Sequence, residues 1–309
     1  MTTAAVVAGA AQLAGLALAP AAAGTVQHVK GRLQGRPGPS PLQPYRELRR
    51  LARKSAVQPE TATAVYRLAP AVVAASVVIA LLLVPVGGEA PDWGLGHDAL
   101  VLVGVLALGR FAITIAAWDT GSGFALMGAG RDLTFAVFAE GVMLLVILLA
   151  ALPAGGSTDL LAMSDAAAGS GIWGEPLHWC AALAFALVAL TETGRQPIDN
   201  PDTHLELTMV HEGPLLEYAG RDLACLQWAA AARLWLMLVL GIELFAPKTG
   251  SFAVRIAIVA GAALVLCVVL ALTETTFAKM RILRVPLVLA GGGALCLVGL
   301  GSWLAGGGA

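Results

Sequence analysis

Charged residues are scarce in this sequence, and it has no excess of basic ones. Asp, Glu, Lys and Arg make up 13% of the 309 residues, whereas a soluble globular protein usually carries about 25%. The 19 Lys and Arg residues do not outnumber the 20 Asp and Glu residues, so no positive excess is available to bind nucleic-acid phosphates. These shortages exclude a soluble enzyme, a disordered tail, a coiled coil and a nucleic-acid-binding protein.

Cysteine is also scarce, and the four cysteines stand far apart. An iron–sulfur cluster requires four thiolates at close spacing, and a structural zinc site requires paired ligands. The sequence contains neither a Cys-x-x-Cys pair nor a His-Glu-x-x-His motif. We therefore expect no metal, no cofactor and no catalytic residue in this chain. We expect the cysteines to be small buried apolar residues: Cys180, Cys225, Cys267 and Cys296.

The sequence is instead rich in long runs of Ala, Leu, Val and Gly. A helix needs about 20 apolar residues to cross the roughly 30 Å hydrocarbon core of a bilayer, whereas an outer-membrane barrel shows alternating segments of about ten residues. Runs of helical length occur at 4–26, 65–86, 98–118, 132–153, 175–192, 227–247, 252–275 and 285–305. The sequence predicts an all-α polytopic membrane protein, one membrane domain over 1–309 with about eight transmembrane helices.

The basic residues predict how the chain is oriented in the membrane. Most Lys and Arg residues fall on alternate loops, above all between the first two spans, and cytoplasmic loops carry such an excess. We therefore expect a protein of the inner (cytoplasmic) membrane with both termini outside and with two long cytoplasmic loops, 27–63 and 193–226. No basic residue precedes Lys30, so the first span lacks the positive start of a signal peptide and is expected to be retained.

The first long loop, 27–63, combines a proline-rich turn with an amphipathic segment. The prolines prevent a continuous helix: Pro37, Pro39, Pro41 and Pro44. After Pro44, apolar and basic side chains separate onto opposite faces: Tyr45, Leu48 and Leu51 or Ala52 against Arg46, Arg49, Arg50 and Arg53. This pattern predicts an interfacial helix with its arginines among lipid headgroups. A topology signal alone explains the charges but does not explain the prolines.

The second long loop, 193–226, is acidic although it is expected to lie on the basic side of the membrane. It carries six acids, namely Asp199, Asp202, Glu206, Glu212, Glu217 and Asp222, against Arg195 and Arg221. A solvated acidic surface, a proton-gathering entrance and a docking surface for a soluble partner all remain open. His204 and His211 are seven residues apart, but Pro214 interrupts the segment, so we do not expect a metal site there.

Some charged residues fall inside the predicted spans. A charge near the centre of a membrane helix costs about 2.5–3.5 kcal/mol on insertion scales. Arg110 and Glu140 lie near the middles of successive spans, and Glu192 lies near a cytoplasmic end. Burial raises the pKa of a carboxyl group and a neighbouring arginine lowers it, so such a pair is suited to proton transfer. A static ion pair that holds the helices together is the alternative.

Two loop motifs resemble the complex I subunit 1 family over the whole chain. The first is Arg36-Pro37-Gly38-Pro39 followed by Leu42-Gln43, and the second runs Glu192-x-x-Arg195-x-Pro197-Ile198-Asp199 to Glu206-Leu207 and Glu217-Tyr218-Ala219-Gly220. This family comprises the quinone-site membrane subunit of NADH:quinone oxidoreductase and its relatives in membrane-bound group 4 [NiFe] hydrogenases and formate hydrogenlyase. The short Ser40-Pro41 spacer, the string Glu212-Gly213-Pro214-Leu215 and the segment Asp119-Thr120-Gly121-Ser122 are similar to the hydrogenase branch.

The resemblance implies a platform for soluble redox subunits above an acidic intramembrane path. Glu140 and Glu192 match the family's intramembrane acids, and Asp199, Glu206 and Glu217 match its acidic loop; with Arg110 they form the candidate proton (or sodium) path. The candidate docking residues are Arg36, Gly38, Pro39, Gln43, Arg46, Arg195 and Tyr218. The implied partners are the hydrogenase large and small subunits, which hold the [NiFe] centre and the iron–sulfur clusters, and antiporter-like membrane subunits. Asn200, Thr203 and His204 depart from the family, whose members often have a Leu-x-Glu-Ala-Glu run there.

The expected function is that of a non-catalytic membrane subunit that anchors a hydrogenase or formate hydrogenlyase-like module and couples electron transfer to ion movement. A quinone-site subunit, with the quinone headgroup between the two loops, is the first alternative. A free-standing secondary transporter would show inverted repeats with interrupted helices, and the sequence has no such self-similarity. An anchor that conducts no ions is the third alternative.

Overall fold

The computed structural model describes residues 3–91, 93, 96–199 and 210–306, and in these ranges the chain forms α-helices and no extended strand. The helices are α1 (Thr3–Leu33), α2 (Gln43–Ala52), α3 (Ala64–Leu83), α4 (Ala99–Asp119), α5 (Gly123–Ala151), α6 (Leu160–Ala167), α7 (Pro176–Glu192), α8 (Gly220–Phe245), α9 (Phe252–Thr276) and α10 (Val285–Ala305). Short 3-10 turns include Gly213–Leu215.

The helix lengths confirm the predicted membrane architecture. Seven helices of the described chain are long and apolar enough to cross a bilayer, and α7, with 17 residues, is a shorter apolar helix. Some ends differ from the prediction: α1 continues to residue 33 rather than 26, and α5 begins at residue 123 rather than 132. Hydropathy marks only the part of a helix inside the hydrocarbon, whereas α1 itself ends shortly before Gly35, whose φ is positive, and α5 begins directly after Ser122.

The first loop folds back along α1. The Tyr45 hydroxyl donates a 2.5 Å hydrogen bond to the carbonyl oxygen of Ala17, about halfway along α1. A Cβ atom added to Gly24 would lie 2.1 Å from the carbonyl oxygen of Pro41, so only glycine allows this approach. As a result α2 packs against α1 and α8, and its arginine side faces outward.

The two long loops are joined into one layer, which we call the platform (residues 34–63, 193–199 and 210–219). The ring of Tyr66, at the start of α3, stacks on the ring of Tyr218 with centroids 4.2 Å apart. The Tyr66 hydroxyl donates to the backbone carbonyl of Glu217, and the Tyr218 hydroxyl donates to the backbone carbonyl of Tyr66. At the end of α4, the Asp119 carboxylate accepts hydrogen bonds from the backbone and hydroxyl of Thr63 (2.7 and 2.9 Å) and from the backbone N–H of Tyr66 (3.3 Å). The platform is therefore fixed to α3, α4 and the start of α8.

The opposite end of the bundle contains a buried ion pair between α8 and the following loop. Glu243 lies 2.8 Å from Lys248 and accepts hydrogen bonds from the backbone N–H groups of Gly87 (2.7 Å) and Gly88 (3.2 Å). The Ser164 hydroxyl on α6 donates to the same carboxylate at 3.2 Å. Both carboxylate oxygens of Glu243 thus have hydrogen-bond partners. These contacts connect α8 to α6 and to the loop that follows α3.

Candidate functional site

Arg110 lies at the centre of a cluster of carboxylates between α4, α5 and α7. Its Nη2 is 2.5 Å from Oε2 of Glu192, its Nη1 is 3.1 Å from Oε1 of Glu140, and its Nε is 3.9 Å from Oδ2 of Asp132. Arg110, Glu192 and Asp132 are each 4–6% exposed. Arg233 on α8 adds a second positive charge near these acids, and buried charges of this kind are stable only when opposite charges lie close to them.

The two glutamates of the cluster differ in exposure. The side chain of Glu192 is 5% exposed, whereas that of Glu140 is 33% exposed on the surface of a membrane-spanning helix. A carboxylate exposed at this depth is costly in lipid unless another protein or water covers it. Glu140 is therefore the member of the cluster that is accessible from the side of the bundle.

His211 connects this cluster to the platform. Its Nε2 lies 3.5 Å from Oδ1 of Asp132, and its Nδ1 lies 3.3 Å from Oδ2 of Asp199. The other oxygen of Asp199 accepts a 2.7 Å hydrogen bond from Nζ of Lys279. These contacts extend the cluster into a line of charged groups, which we call the charge network: Lys279, Asp199, His211, Asp132, Arg110, Glu140 and Glu192.

The carboxylates on both sides of His211 favour its protonated form. Burial alone would lower the pKa of His211, but Asp132 and Asp199 more than offset this effect, so the pKa is raised from its usual value. Burial alone would raise the pKa of Asp199, but the hydrogen bonds and charges of His211 and Lys279 hold it well below its usual range. The imidazolium form carries a hydrogen on each ring nitrogen, so it presents one N–H to each of the two carboxylates.

We expect His211→Gln to alter how stability depends on pH. Because the pKa of His211 is raised above the usual histidine value of about 6.5, the histidine stabilises the folded state fully below that pH, and the contribution is lost as the pH rises through the raised value. The difference in melting temperature between wild type and His211→Gln should therefore shrink from about pH 6 to about pH 9. A difference that stays constant or grows over this range contradicts the assignment.

A cavity of about 560 Å³ lies between α1, α2, α8 and the platform, beside the charge network. His211 and Asp199 contribute to one wall, and Gln27, Gln43 and Gln227 contribute to the others. The cavity thus places water-accessible volume directly against the histidine.

Glu274 at the end of α9 supports this cavity from outside the network. Its carboxylate lies 3.1 Å from Lys30 and 3.0 Å from Arg195, and its own side chain is 1% exposed. Arg195 also lines the cavity, so the ion pair ties the end of α1 and the start of the acidic loop to α9.

The family profile described as "NADH dehydrogenase" matches residues 6–290 of this chain. The chain belongs to this family. It is 33% identical over 233 residues to hydrogenase-4 component C of Escherichia coli (strain K12), covering 75% of this chain and 72% of that protein. It is 31% identical over 281 residues to formate hydrogenlyase subunit 4 of the same strain, covering 86% and 88%. These relatives confirm the resemblance to the complex I subunit 1 family and its hydrogenase branch.

The fold of this NADH dehydrogenase family member also resembles a solved structure. A chain of the membrane-bound sulfane sulfur reductase, an archaeal respiratory membrane complex, matches with a TM-score of 0.78 over 96% of this chain and 98% of that chain. The identity is 18%, so this similarity concerns the fold alone.

The proline-rich turn of this family member is closely packed. A Cβ atom on Gly38, at φ +69°, would lie 2.6 Å from the carbonyl oxygen of His28, and a ring nitrogen of His28 lies 2.8 Å from the carbonyl oxygen of Pro39. Arg36 is exposed and donates to the side chain of Gln34. The candidate docking residues Arg36, Gly38 and Pro39 thus form a fixed turn at the end of α1.

The other candidate docking residues have different environments. Gln43 begins α2 and donates a 2.9 Å hydrogen bond to Glu47, and Arg46 is exposed. Arg195 is held by its ion pair in the cavity wall, whereas Tyr218 is 4% exposed within the platform. Arg46 is therefore available to a partner's surface, and Tyr218 acts through the packing of the platform.

The structure brings together four of the six residues predicted for the ion path. Arg110, Glu140, Glu192 and Asp199 belong to the charge network. None of the ion pairs and hydrogen bonds that make up the charge network involves the side chain of Glu217, and its backbone carbonyl accepts a hydrogen bond from Tyr66. Glu206 lies outside the described residues.

Sequence reasoning missed Asp132, His211 and Lys279 as members of the network. Asp132 stood at the edge of a predicted span, but the longer α5 places it two turns before Glu140, on the same side of the helix. That spacing of eight residues was the available signal. His211 and Lys279 carried no comparable signal, because they lie in loops and reach the network only through the fold. Among the described residues, no three His, Cys, Asp or Glu side chains are arranged to hold a metal ion.

Proposed function

We propose that this chain is the membrane subunit of a membrane-bound hydrogenase or formate hydrogenlyase-like complex. In this proposal it lies in the inner (cytoplasmic) membrane with both termini outside, seats the soluble redox module on the platform, and passes protons along the charge network. The observation that carries the proposal is the line of contacts from Lys279 and Asp199 through His211 and Asp132 to Arg110 and its glutamates.

The chemistry of this line suits proton transfer better than rigid anchoring alone. Histidine changes charge at physiological pH and carries a proton on either ring nitrogen. His211 faces a carboxylate on each side and borders the cavity, so it has both a source of protons and an acceptor. Glu140, accessible from the side of the bundle, is suited to pass an ion laterally to an antiporter-like membrane subunit. Sodium is the alternative ion.

The platform supports the anchoring role. The tyrosine stack holds the acidic loop to α3, and the Asp119 hydrogen bonds hold the end of the first loop to α4. The relatives named hydrogenase-4 component C and formate hydrogenlyase subunit 4 suggest that the seated subunits are the large and small hydrogenase subunits, which would hold the [NiFe] centre and the iron–sulfur clusters. The chain itself would supply the surface and the proton path.

A quinone-site subunit is the second candidate, and the cavity is the observation that favours it. Its volume, about 560 Å³, falls within the range of small-molecule sites, and polar groups converge on it from the platform. In that case the headgroup would lie near His211, between the two long loops.

Metal analysis of the complex distinguishes these candidates. We expect purification of the tagged chain in mild detergent to retain soluble partners that contain nickel and iron. Iron without nickel, together with a bound quinone, would favour the second candidate. Purification of the chain alone from membranes that contain its intact expression unit would contradict both.

A further inference from the structure

A second pocket, of about 300 Å³, lies between the first turns of α5 and the start of α10. It shares no lining residue with the cavity beside the charge network. Its walls are formed by two short stretches of chain, namely Met127, Gly130, Arg131, Thr134 and Phe135 on α5, and Ile282, Leu283 and Pro286 before and within α10. Neither the charge network nor the proposed docking surface uses this pocket.

The lining of this pocket is amphipathic. Of the described residues that form its walls, only Arg131 is charged. The one hydroxyl, that of Thr134, already donates a 2.8 Å hydrogen bond to the carbonyl oxygen of Gly130. The remaining side chains are apolar, so the pocket suits a ligand that joins a negative group to an apolar part.

Two more arginines stand beside the pocket. Arg281 precedes and Arg284 ends the 3-10 turn whose residues Ile282 and Leu283 line it. Both arginines are exposed and form no ion pair with the described residues. Asp132, the acid next to Arg131 in the sequence, is buried in the charge network on the other side of α5. The mouth of the pocket is therefore positively charged.

The pocket lies at the level where the bundle meets the platform. On α5, Gly128 packs against Gly213 of the platform so closely that an added Cβ atom would lie 2.6 Å from the Gly213 Cα. Further into the bundle the surface is apolar: Leu287 follows Leu283 by one helical turn on α10, and Val137 follows Thr134 on α5. Leu283, Leu287 and Val137 are 88%, 71% and 66% exposed. The arginines thus stand at the membrane surface, and an apolar track leads from them into the bilayer.

We propose that this pocket binds one anionic phospholipid, with its phosphate held by Arg131, Arg281 and Arg284 and its acyl chains on the exposed surfaces of α5 and α10. Basic pockets between membrane helices bind anionic lipid headgroups in this way. An acidic loop of a partner would match the arginines but not the apolar track, and a partner's membrane helix would match the track but not the arginines. The assignment to the cytoplasmic leaflet rests on the orientation proposed above.

Gly130 offers a variant that fills the pocket without disturbing the protein. A Cβ atom added to Gly130 meets no atom within 4 Å, because the space beside it belongs to the pocket. Leucine also has a higher helix propensity than glycine, so we expect Gly130→Leu to fold. Gly104 on α4 is likewise exposed with no atom within 4 Å of an added Cβ, and Gly104→Leu is the matched control.

Native mass spectrometry of the intact complex tests the site. The complex is stripped of lipid in mild detergent and supplied with equal amounts of phosphatidylglycerol and phosphatidylcholine. We expect wild type and Gly104→Leu to retain one phosphatidylglycerol that is lost from Gly130→Leu and from the double variant Arg281→Gln/Arg284→Gln. Its retention relative to phosphatidylcholine should fall at least about tenfold, because each arginine near the headgroup strengthens binding several-fold.

Two results would overturn the proposal. Equal retention by all four proteins would show that no anionic lipid binds here. Loss in the double arginine variant alone, with normal retention by Gly130→Leu, would place the lipid on the arginine surface rather than in the pocket.

Cryo-electron microscopy of the complex in phosphatidylglycerol nanodiscs gives a direct view of the occupant. We expect two-tailed density along α5 and α10 with its headgroup against Arg131. Protein density from a partner in the pocket would overturn the lipid assignment and give this surface to that partner. Neither result alters the proposed function, which depends on the charge network and on the metal content of the complex.

Discussion

Glu192→Gln and Glu140→Gln should separate redox turnover from ion movement. Each change keeps the size of the side chain and its hydrogen bond to Arg110 but removes the ability to gain and lose a proton. We expect the protons moved per turnover to fall at least about tenfold, because a positioned acid–base group contributes about 10²–10⁴-fold to a proton-transfer step. Turnover with an artificial electron carrier, which depends only on the soluble module, should remain near the wild-type level.

Glu217→Gln is the matched control for these variants. The family resemblance assigns Glu217 to the same path, but in the structure its side chain lies outside the charge network. Proton movement by Glu217→Gln should therefore equal that of wild type within about twofold. If Glu217→Gln fails while Glu192→Gln moves protons normally, the path runs through the loop surface and the charge network is only an anchor.

Arg110→Leu should cause a large loss of stability. The substitution leaves Glu192, Glu140 and Asp132 without their shared cation, and breaking a buried ion pair by removing one partner costs about 3–5 kcal/mol. We expect a clear fall in the melting temperature of the complex in nanodiscs and a smaller amount of assembled complex in the membrane.

A second substitution distinguishes uncompensated charge from lost packing. If the cost comes from carboxylates without a cation, adding Glu192→Gln to Arg110→Leu should restore part of the melting temperature, since one fewer buried charge then lacks a partner. A double variant that is less stable than Arg110→Leu by the full additive amount would contradict this explanation.

The sequence was sufficient to predict the membrane architecture because hydrophobic length is a local property. Each span satisfies its own 20-residue condition, so the approximate number of helices follows without knowledge of their packing. The pairing of Arg110 with Glu140 was also open to prediction, because both fall near the middles of successive predicted spans.

The rest of the charge network depends on tertiary contacts that no local pattern records. Asp199 and His211 are brought together by the path of one loop, and Lys279 arrives from the segment after α9, 80 residues further along the chain. Whether Asp132 belongs to the helix depends on where α5 begins. Hydropathy places that start nine residues too late, because the first turns of α5 are less apolar. The resemblance pointed to acidic residues of the loop but could not say that the Glu217 side chain lies outside the cluster.

Helix α4 makes the charge network sensitive to a subunit bound to the platform. Helix α4 carries Arg110 near its middle and ends at Asp119, which is bonded to Thr63 and Tyr66. Nine residues of helix separate the two positions, about 13 Å, so a tilt of about ten degrees pivoting at Asp119 would shift the arginine by roughly 2 Å. A shift of that size exceeds what a 2.5–3.1 Å contact tolerates. Movement of a subunit bound to the platform would therefore change the alignment of Arg110 with its glutamates inside the bilayer, through the tilt of α4 alone.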